Sequence, residues 1–149
     1  MKRLNENGVR VPRPIALSGN VIVMEFLGER GYRAPLLHEE ADSMSIEQLR
    51  AVESGIAEQL RLIVCKSRLI HADLSEYNIM IWNGKPWIID VSQAVRHEHP
   101  NAPEFLERDI ENLTRFFTKY LGETPNIEEA AGEARKCLEK DIRGSHDYT

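Results

Sequence analysis

The sequence predicts an α+β fold, mostly helical with small β pieces, in a single domain spanning residues 1–149. Three observations carry that expectation. Apolar residues recur at three- and four-residue steps over three long stretches, the signature of helices with one buried stripe. Asn83-Gly84 lies between two apolar runs, and this dipeptide suits a two-residue β-hairpin whose central residues both need positive φ. The chain has 149 residues, 42% of them apolar and 29% charged, enough to build one core without disulfide staples.

The elements follow in order. Asn7 to Pro14 reads as extended, because Pro12 and Pro14 exclude helix and bias their predecessors to β or polyproline geometry. Gly19-Asn20 marks a turn, and Val21 to Leu27 then reads as a largely buried strand. Gly28 to Asp42 mixes Gly, Pro and charge without periodicity and reads as a connector. Ser45 with Gln48 forms a capping-box pattern ahead of a helix striped by Ile46, Leu49, Val52, Ile56, Leu60 and Ile63, ending near Lys66-Ser67. Leu69-Ile70, a polar loop from His71 to Asn78, and the hairpin Ile79–Trp82 and Lys85–Ile89 follow, with Trp82 and Trp87 expected in cross-strand packing. Asn101 caps a further helix striped by Leu106, Ile110, Leu113, Phe117 and Leu121, with Gly122 as its C′ residue. The last helix begins near Pro125 and buries Ile127, Ala130, Ala134 and Leu138.

Composition narrows the function. A net charge of −5 argues against a global nucleic-acid footprint, and no DNA binding is expected. Residues 2–33 are locally basic through Lys2, Arg3, Arg10, Arg13, Arg30 and Arg33, which reads as a solvated face or as a docking patch for RNA or phosphate. No apolar run is long enough to span a membrane, and the N-terminus lacks the apolar core of a signal peptide. Cys65 and Cys137 have no metal-like spacing; each falls on a helical apolar stripe and reads as a buried thiol. A cytoplasmic, reducing setting is the expectation.

The chemistry concentrates in His71-Ala72-Asp73-Leu74-Ser75-Glu76-Tyr77-Asn78 and in Ile88-Ile89-Asp90. Taken singly, Asp73 is an ordinary helix cap, Asn78 a turn residue and Asp90 a strand end. Taken together they have another meaning. A phosphoryl donor needs a divalent cation, and that cation needs oxygen ligands at a pocket edge. A short hairpin folds Asp90 back beside the loop that carries Asp73 and Asn78. In protein kinases an Asp in this place acts as catalytic base, and the following Asn and second Asp hold metal. His71 then serves to hold the loop.

These segments, with His99-Pro100-Asn101-Ala102-Pro103-Glu104-Phe105-Leu106, resemble RIO-type atypical protein kinases of the first RIO subfamily, from about Lys2 to Leu121. Differences from ordinary kinases agree with that resemblance. Ala72 stands where an Arg would read an activation-loop phosphate, Ser75 where a Lys would touch the γ-phosphate, and Val91-Ser92 replaces Phe-Gly. The interval from Asp90 to Ala102 is too short for a peptide-docking activation loop. The resemblance implies a kinase-like C-lobe over residues 29–149, with residues 1–28 as a strand and hinge at the junction with an N-lobe. It implies ATP and Mg2+ as cofactors, Asp73 as catalytic base, and Asn78 and Asp90 as metal ligands. Asp90 is also implicated as a phospho-acceptor. The backbones of Glu25 and Leu27 would meet the adenine edge, with Met24 behind it. A small-subunit ribosomal precursor particle is the implied partner.

No Gly-rich phosphate loop and no strand Lys paired with a helix Glu precede Val21, so the N-lobe is expected to come from elsewhere, in cis or in trans, and the chain alone to turn over little or nothing. A non-catalytic docking module derived from a kinase C-lobe is the rival reading. A small-molecule phosphotransferase is the weakest.

Overall fold

The computed structural model describes residues 2–146. In chain order, α1 (Lys2–Glu6) leads to a hairpin of β1 (Pro14–Ser18) and β2 (Val21–Met24), then to a smaller hairpin of β3 (Gly28–Glu29) and β4 (Tyr32–Arg33). The single-turn α2 (Leu37–Glu40) precedes α3 (Ile46–Arg61). Four short strands follow: β5 (Leu69–Ile70), β6 (Ile79–Trp82), β7 (Lys85–Ile88) and β8 (Val95–Arg96). Then come α4 (Ala102–Leu121) and α5 (Pro125–His146). All four sheets are antiparallel pairs.

The core sits among α3, α4 and α5. Ile56, Leu60, Phe117, Ile127, Ala130 and Ala134 are fully buried there, and Ile70, Leu74, Ile79 and Ile88 join them from the loop and hairpin. Each large side chain so buried contributes roughly 1.5–3 kcal/mol by leaving water. Ser45 caps α3 as its sequence demands: its hydroxyl accepts from the Gln48 N–H at 3.1 Å, and the Gln48 side chain accepts from the Ser45 N–H at 2.9 Å. The helix closes in a π-helical turn, Leu62–Lys66. Glu53 is wholly buried and accepts from Asn126 Nδ2 at 3.2 Å and the Ile127 N–H at 3.4 Å, which fixes the first turn of α5 on α3.

The β6–β7 hairpin is set on this base by the extended segment after α1. The Arg10 N–H donates to Gln59 Oε1 of α3 at 2.6 Å, its Nε donates to the Pro86 carbonyl at 2.8 Å, and the Arg10 carbonyl accepts from the Ile88 N–H at 2.8 Å. Asn83 and Gly84 both have positive φ, 53° and 75°, as the dipeptide predicts.

Several expectations are corrected. The regular strand after Gly19-Asn20 ends at Met24, and β1–β2 is exposed rather than buried: Ile15, Leu17 and Val21 are 60%, 74% and 63% exposed. A lone two-stranded ribbon has no layer to cover either face. The connector holds β3–β4 and α2. Gly28 is required there, because at φ 158° an added Cβ would lie 2.0 Å from the Tyr32 carbonyl oxygen. Ile46, assigned to the buried stripe, is exposed in the first turn of α3. Asn101 makes no side-chain cap; its N–H donates to His99 Nδ1 at 3.0 Å. Trp87 sits opposite Met80, and Trp82 opposite Lys85, so the two indoles share a face without pairing directly. Cys65 and Cys137 are not separate buried thiols. They are half-buried and joined in a disulfide, with Cα atoms 5.3 Å apart, because α5 runs back along the end of α3.

Candidate active site

The loop between β5 and β6 is built around one buried carboxylate that sequence reasoning missed. Asp109 lies in the second turn of α4 and is 1% exposed. One of its oxygens accepts the Ala72 N–H and the other the Leu74 N–H, both at 2.9 Å. These two bonds hold Ala72 at φ 73°, a left-handed geometry that costs a non-glycine residue about 1–2 kcal/mol. Arg108 donates to the Ala72 carbonyl, and Asn112 Nδ2 donates to the Leu74 carbonyl at 3.2 Å. Three residues of α4 thus clamp the backbone on both sides of Asp73. Burial pushes the Asp109 carboxyl up to about 6, against the two backbone bonds that favour its charged form. A signal did exist: Asp109 falls on the stripe of Leu106, Ile110 and Leu113, where a carboxylate needs a partner.

Within the loop, His71 Nδ1 accepts the Asp73 N–H at 3.1 Å. Burial lowers the imidazole's affinity for a proton, outweighing the nearby backbone and carboxylate of Asp90 and the carboxylate of Asp73, so the ring is neutral. Its Nε2 is buried and makes no hydrogen bond of ordinary geometry. Asn78 is 7% exposed; its Oδ1 accepts from the Ser75 N–H at 3.0 Å, and its Nδ2 donates to the Asp73 carbonyl. The Asn78 carbonyl accepts the Ile89 N–H at 3.1 Å, which ties the loop to the residue before Asp90.

Asp73 and Asp90 are both solvent-exposed. Asp90 Oδ1 accepts from the Ser92 N–H at 3.1 Å and from the Ser92 hydroxyl at 2.8 Å. These bonds hold its pKa below the ordinary carboxylate value, so it is ionised at neutral pH. Oδ2 takes no part in them. Among the described residues no group of three His, Cys, Asp or Glu side chains converges to hold a metal unaided. The donors on offer are the Asp90 carboxylate and the remaining lone pair of Asn78 Oδ1. An all-oxygen partial set of this kind fits Mg2+, which keeps waters and takes its other ligands from phosphate.

Glu25 and Leu27, the residues expected at a hinge, follow the end of β2. The Glu25 N–H donates to the Arg13 carbonyl at 2.8 Å, and the Leu27 carbonyl accepts the Ala34 N–H at 2.8 Å. The Glu25 carbonyl and the Leu27 N–H take no part in those bonds; an adenine edge needs such an acceptor and donor. Leu27 and Ala34 form a second small core with Met80, flanked by Leu36, Trp82, Trp87 and Ile89. Met24 is outside that core and 38% exposed. A cleft of about 810 Å³ lies between residues 97–103 and the end of α5 and contains none of these groups.

Comparisons with known proteins identify the family. The sequence model of the RIO domain family matches residues 1–130. The serine/threonine-protein kinase RIO1 of Caenorhabditis elegans is 44% identical over 117 residues, covering 78% of this chain and 23% of the relative. The RIO-type serine/threonine-protein kinase Rio1 of Haloferax volcanii is 41% identical, covering 80% of this chain and 39% of the relative. The crystal structure of the Rio2 kinase–ADP/Mg2+–phosphoaspartate complex from Chaetomium thermophilum aligns with a TM-score of 0.54 at 26% identity, over 99% of this chain and 52% of that one. The chain spans 23% of the length of the Caenorhabditis elegans relative, 39% of the Haloferax volcanii relative and about half of the Rio2 chain.

Proposed function

Because the chain belongs to the RIO domain family, we propose that it forms the metal-binding and catalytic part of an ATP-dependent kinase or ATPase. The observation that carries this reading is the loop itself. Ala72 is held in a costly backbone geometry by a buried Asp109, Asp73 next to it is exposed, the Asn78 side chain donates to the Asp73 carbonyl, and the Asn78 carbonyl accepts from Ile89, the residue before Asp90. A docking module has no need of that expense, so the catalytic reading is preferred to the non-catalytic one.

In this reading Asn78 and Asp90 hold Mg2+ against the phosphates of ATP. The Glu25 carbonyl and Leu27 N–H meet the adenine edge, with Met24 behind and Met80 beneath. Asp73 receives the proton of an attacking hydroxyl. Asp90 Oδ2, left open by the Ser92 bonds, would attack the γ-phosphorus, giving an aspartyl phosphate and ADP. The phosphates need a cradle as well, so an N-lobe acting in cis or in trans completes the site and covers the exposed apolar face of β1–β2. A small-subunit ribosomal precursor particle is the proposed partner, and the cytosol, where ATP is abundant, the proposed compartment. No helix among the described residues is long and apolar enough to cross a membrane.

The test is transfer of label from γ-labelled ATP with Mg2+ to this chain supplemented with a RIO-type N-lobe. The expected product is a hydroxylamine-labile phosphate that Asp90→Asn does not form. Label that persists in Asp90→Asn would remove Asp90 from this role.

A further inference from the structure

One face of α5 meets the segment around the catalytic loop at successive turns. Glu133, Cys137 and Asp141 are spaced four residues apart, so they form a single stripe. Glu133 pairs with Arg61 at the end of α3. Cys137 is bonded to Cys65 in the π-helical turn that follows. Asp141 reaches Arg68, 3.7 Å away, and His97 Nδ1, 2.7 Å away. Arg68 has φ 57° and directly precedes β5, which enters the catalytic loop; His97 directly follows β8, which leaves the Asp90 loop. β5 and β8 pair with each other. His97 is buried with Nε2 unbonded, so Asp141 is its side-chain hydrogen-bond partner among the described residues. Asp141 therefore ties the residues that flank β5 and β8 to α5, and the disulfide one turn earlier fixes the same face of α5 covalently to the end of α3.

We propose that Cys65–Cys137 is a thiol-exchange site whose oxidation state sets how firmly α5 braces the catalytic and Asp90 loops; this rests on reading Asp73–Asn78 as the catalytic loop. Two thiols of the glutathione class reduce it. The first attacks one sulfur to give a mixed disulfide and releases one cysteine thiolate. The second attacks the mixed disulfide, and the products are two cysteine thiols and one small-molecule disulfide, two electrons having passed to the protein with two protons. A disulfide of the same class reverses the reaction. Both cysteines are half-exposed, which gives an incoming thiol access. A thiol regenerated at Cys65 has an acceptor ready in the Glu133 carbonyl, 3.7 Å from its sulfur. The flanking pairs of Glu133 and Asp141 persist on reduction, so the brace loosens without detaching.

The experiment is hydrogen exchange of the full chain, oxidised and reduced, with intact mass to verify the redox state. No nucleotide is added, so its outcome is independent of whether ATP binds. The expected results are a mass two hydrogens lower in the oxidised form, a melting temperature lower by about 10 °C on reduction, and exchange at residues 69–78 faster on the order of tenfold. Cys137→Ser should exchange like the reduced chain in either buffer. Free thiols after incubation with glutathione disulfide would overturn the proposal. So would a disulfide whose reduction leaves exchange at residues 69–78 unchanged; the reduced wild-type chain gives that answer even if the variant does not fold.

Discussion

The loop from His71 to Asn78 and the β1–β2 hairpin both lack long regular structure, yet they are held in opposite ways. The loop is fixed from below by polar side chains of α4, the buried Asp109, the half-buried Asn112 and the exposed Arg108, each bonded to its backbone. The hairpin has a register but no floor, and its Ile15, Leu17, Val21 and Val23 are exposed. The half of the site that would handle metal and proton is thus built before any ligand arrives. The half that would hold adenine and phosphate is an edge awaiting a cover. If that reading holds, the chain by itself carries the carboxylates of the chemistry and should still turn over little.

The largest expected effect comes from the chemistry of the loop. In a complex completed by an N-lobe, Asp73→Asn should lower the phosphoryl-transfer rate by about 10²–10⁴-fold, the usual worth of a positioned base, while leaving Mg-ATP affinity within a few-fold. A rate that survives would assign the loop to binding alone. The next effect is on stability. Asp109→Ala leaves two buried N–H groups unpaired and Ala72 unsupported, and should cost about 3 kcal/mol in denaturant unfolding.

Paired core and hairpin substitutions sharpen the contrast. Leu106→Ala, beneath the loop, should cost about 2–5 kcal/mol. Leu17→Ser, on the exposed ribbon, should stay within about 0.5 kcal/mol in the chain alone. If an N-lobe covers that face, the same Leu17→Ser should then weaken its association. A hairpin substitution as damaging as the core one in the chain alone would show that the ribbon is already packed.

The smallest effect is a pH dependence. Asp109 has a folded pKa of about 6, raised above its unfolded value by burial. Its contribution favours the folded state below about pH 4, where both states are protonated, and is lost as pH rises through about 6. Asp90, whose pKa is depressed by Ser92, acts in the opposite sense at lower pH. Asp109→Asn should flatten the stability profile between about pH 4 and pH 6 relative to the unmodified chain, as unfolding midpoints across that range would report.

Much of this was legible in the residues. The three long helices, the Ser45 capping box and the Asn83-Gly84 turn follow from local rules that tertiary packing did not override. The loop and Asp90 were legible because their spacing matches a family pattern, and the fold brings them to one strand-and-loop ledge. What the sequence hid depended on distant pairing. Asp109 reads as a solvated helix residue until its stripe position is taken seriously. Cys65 and Cys137 are 72 residues apart, and only the return of α5 along α3 brings them together. The exposure of Val21 and Val23 could not be read either, since an apolar run signals burial without saying what does the burying.

The central claim is that the metal-binding half of the site is preformed in this chain. Calorimetric titration of Mg-ATP into the chain, beside Asp90→Asn, tests it most directly. The account predicts weak, Mg2+-dependent binding that Asp90→Asn abolishes. Binding of equal strength in Asp90→Asn, or binding indifferent to Mg2+, would contradict it.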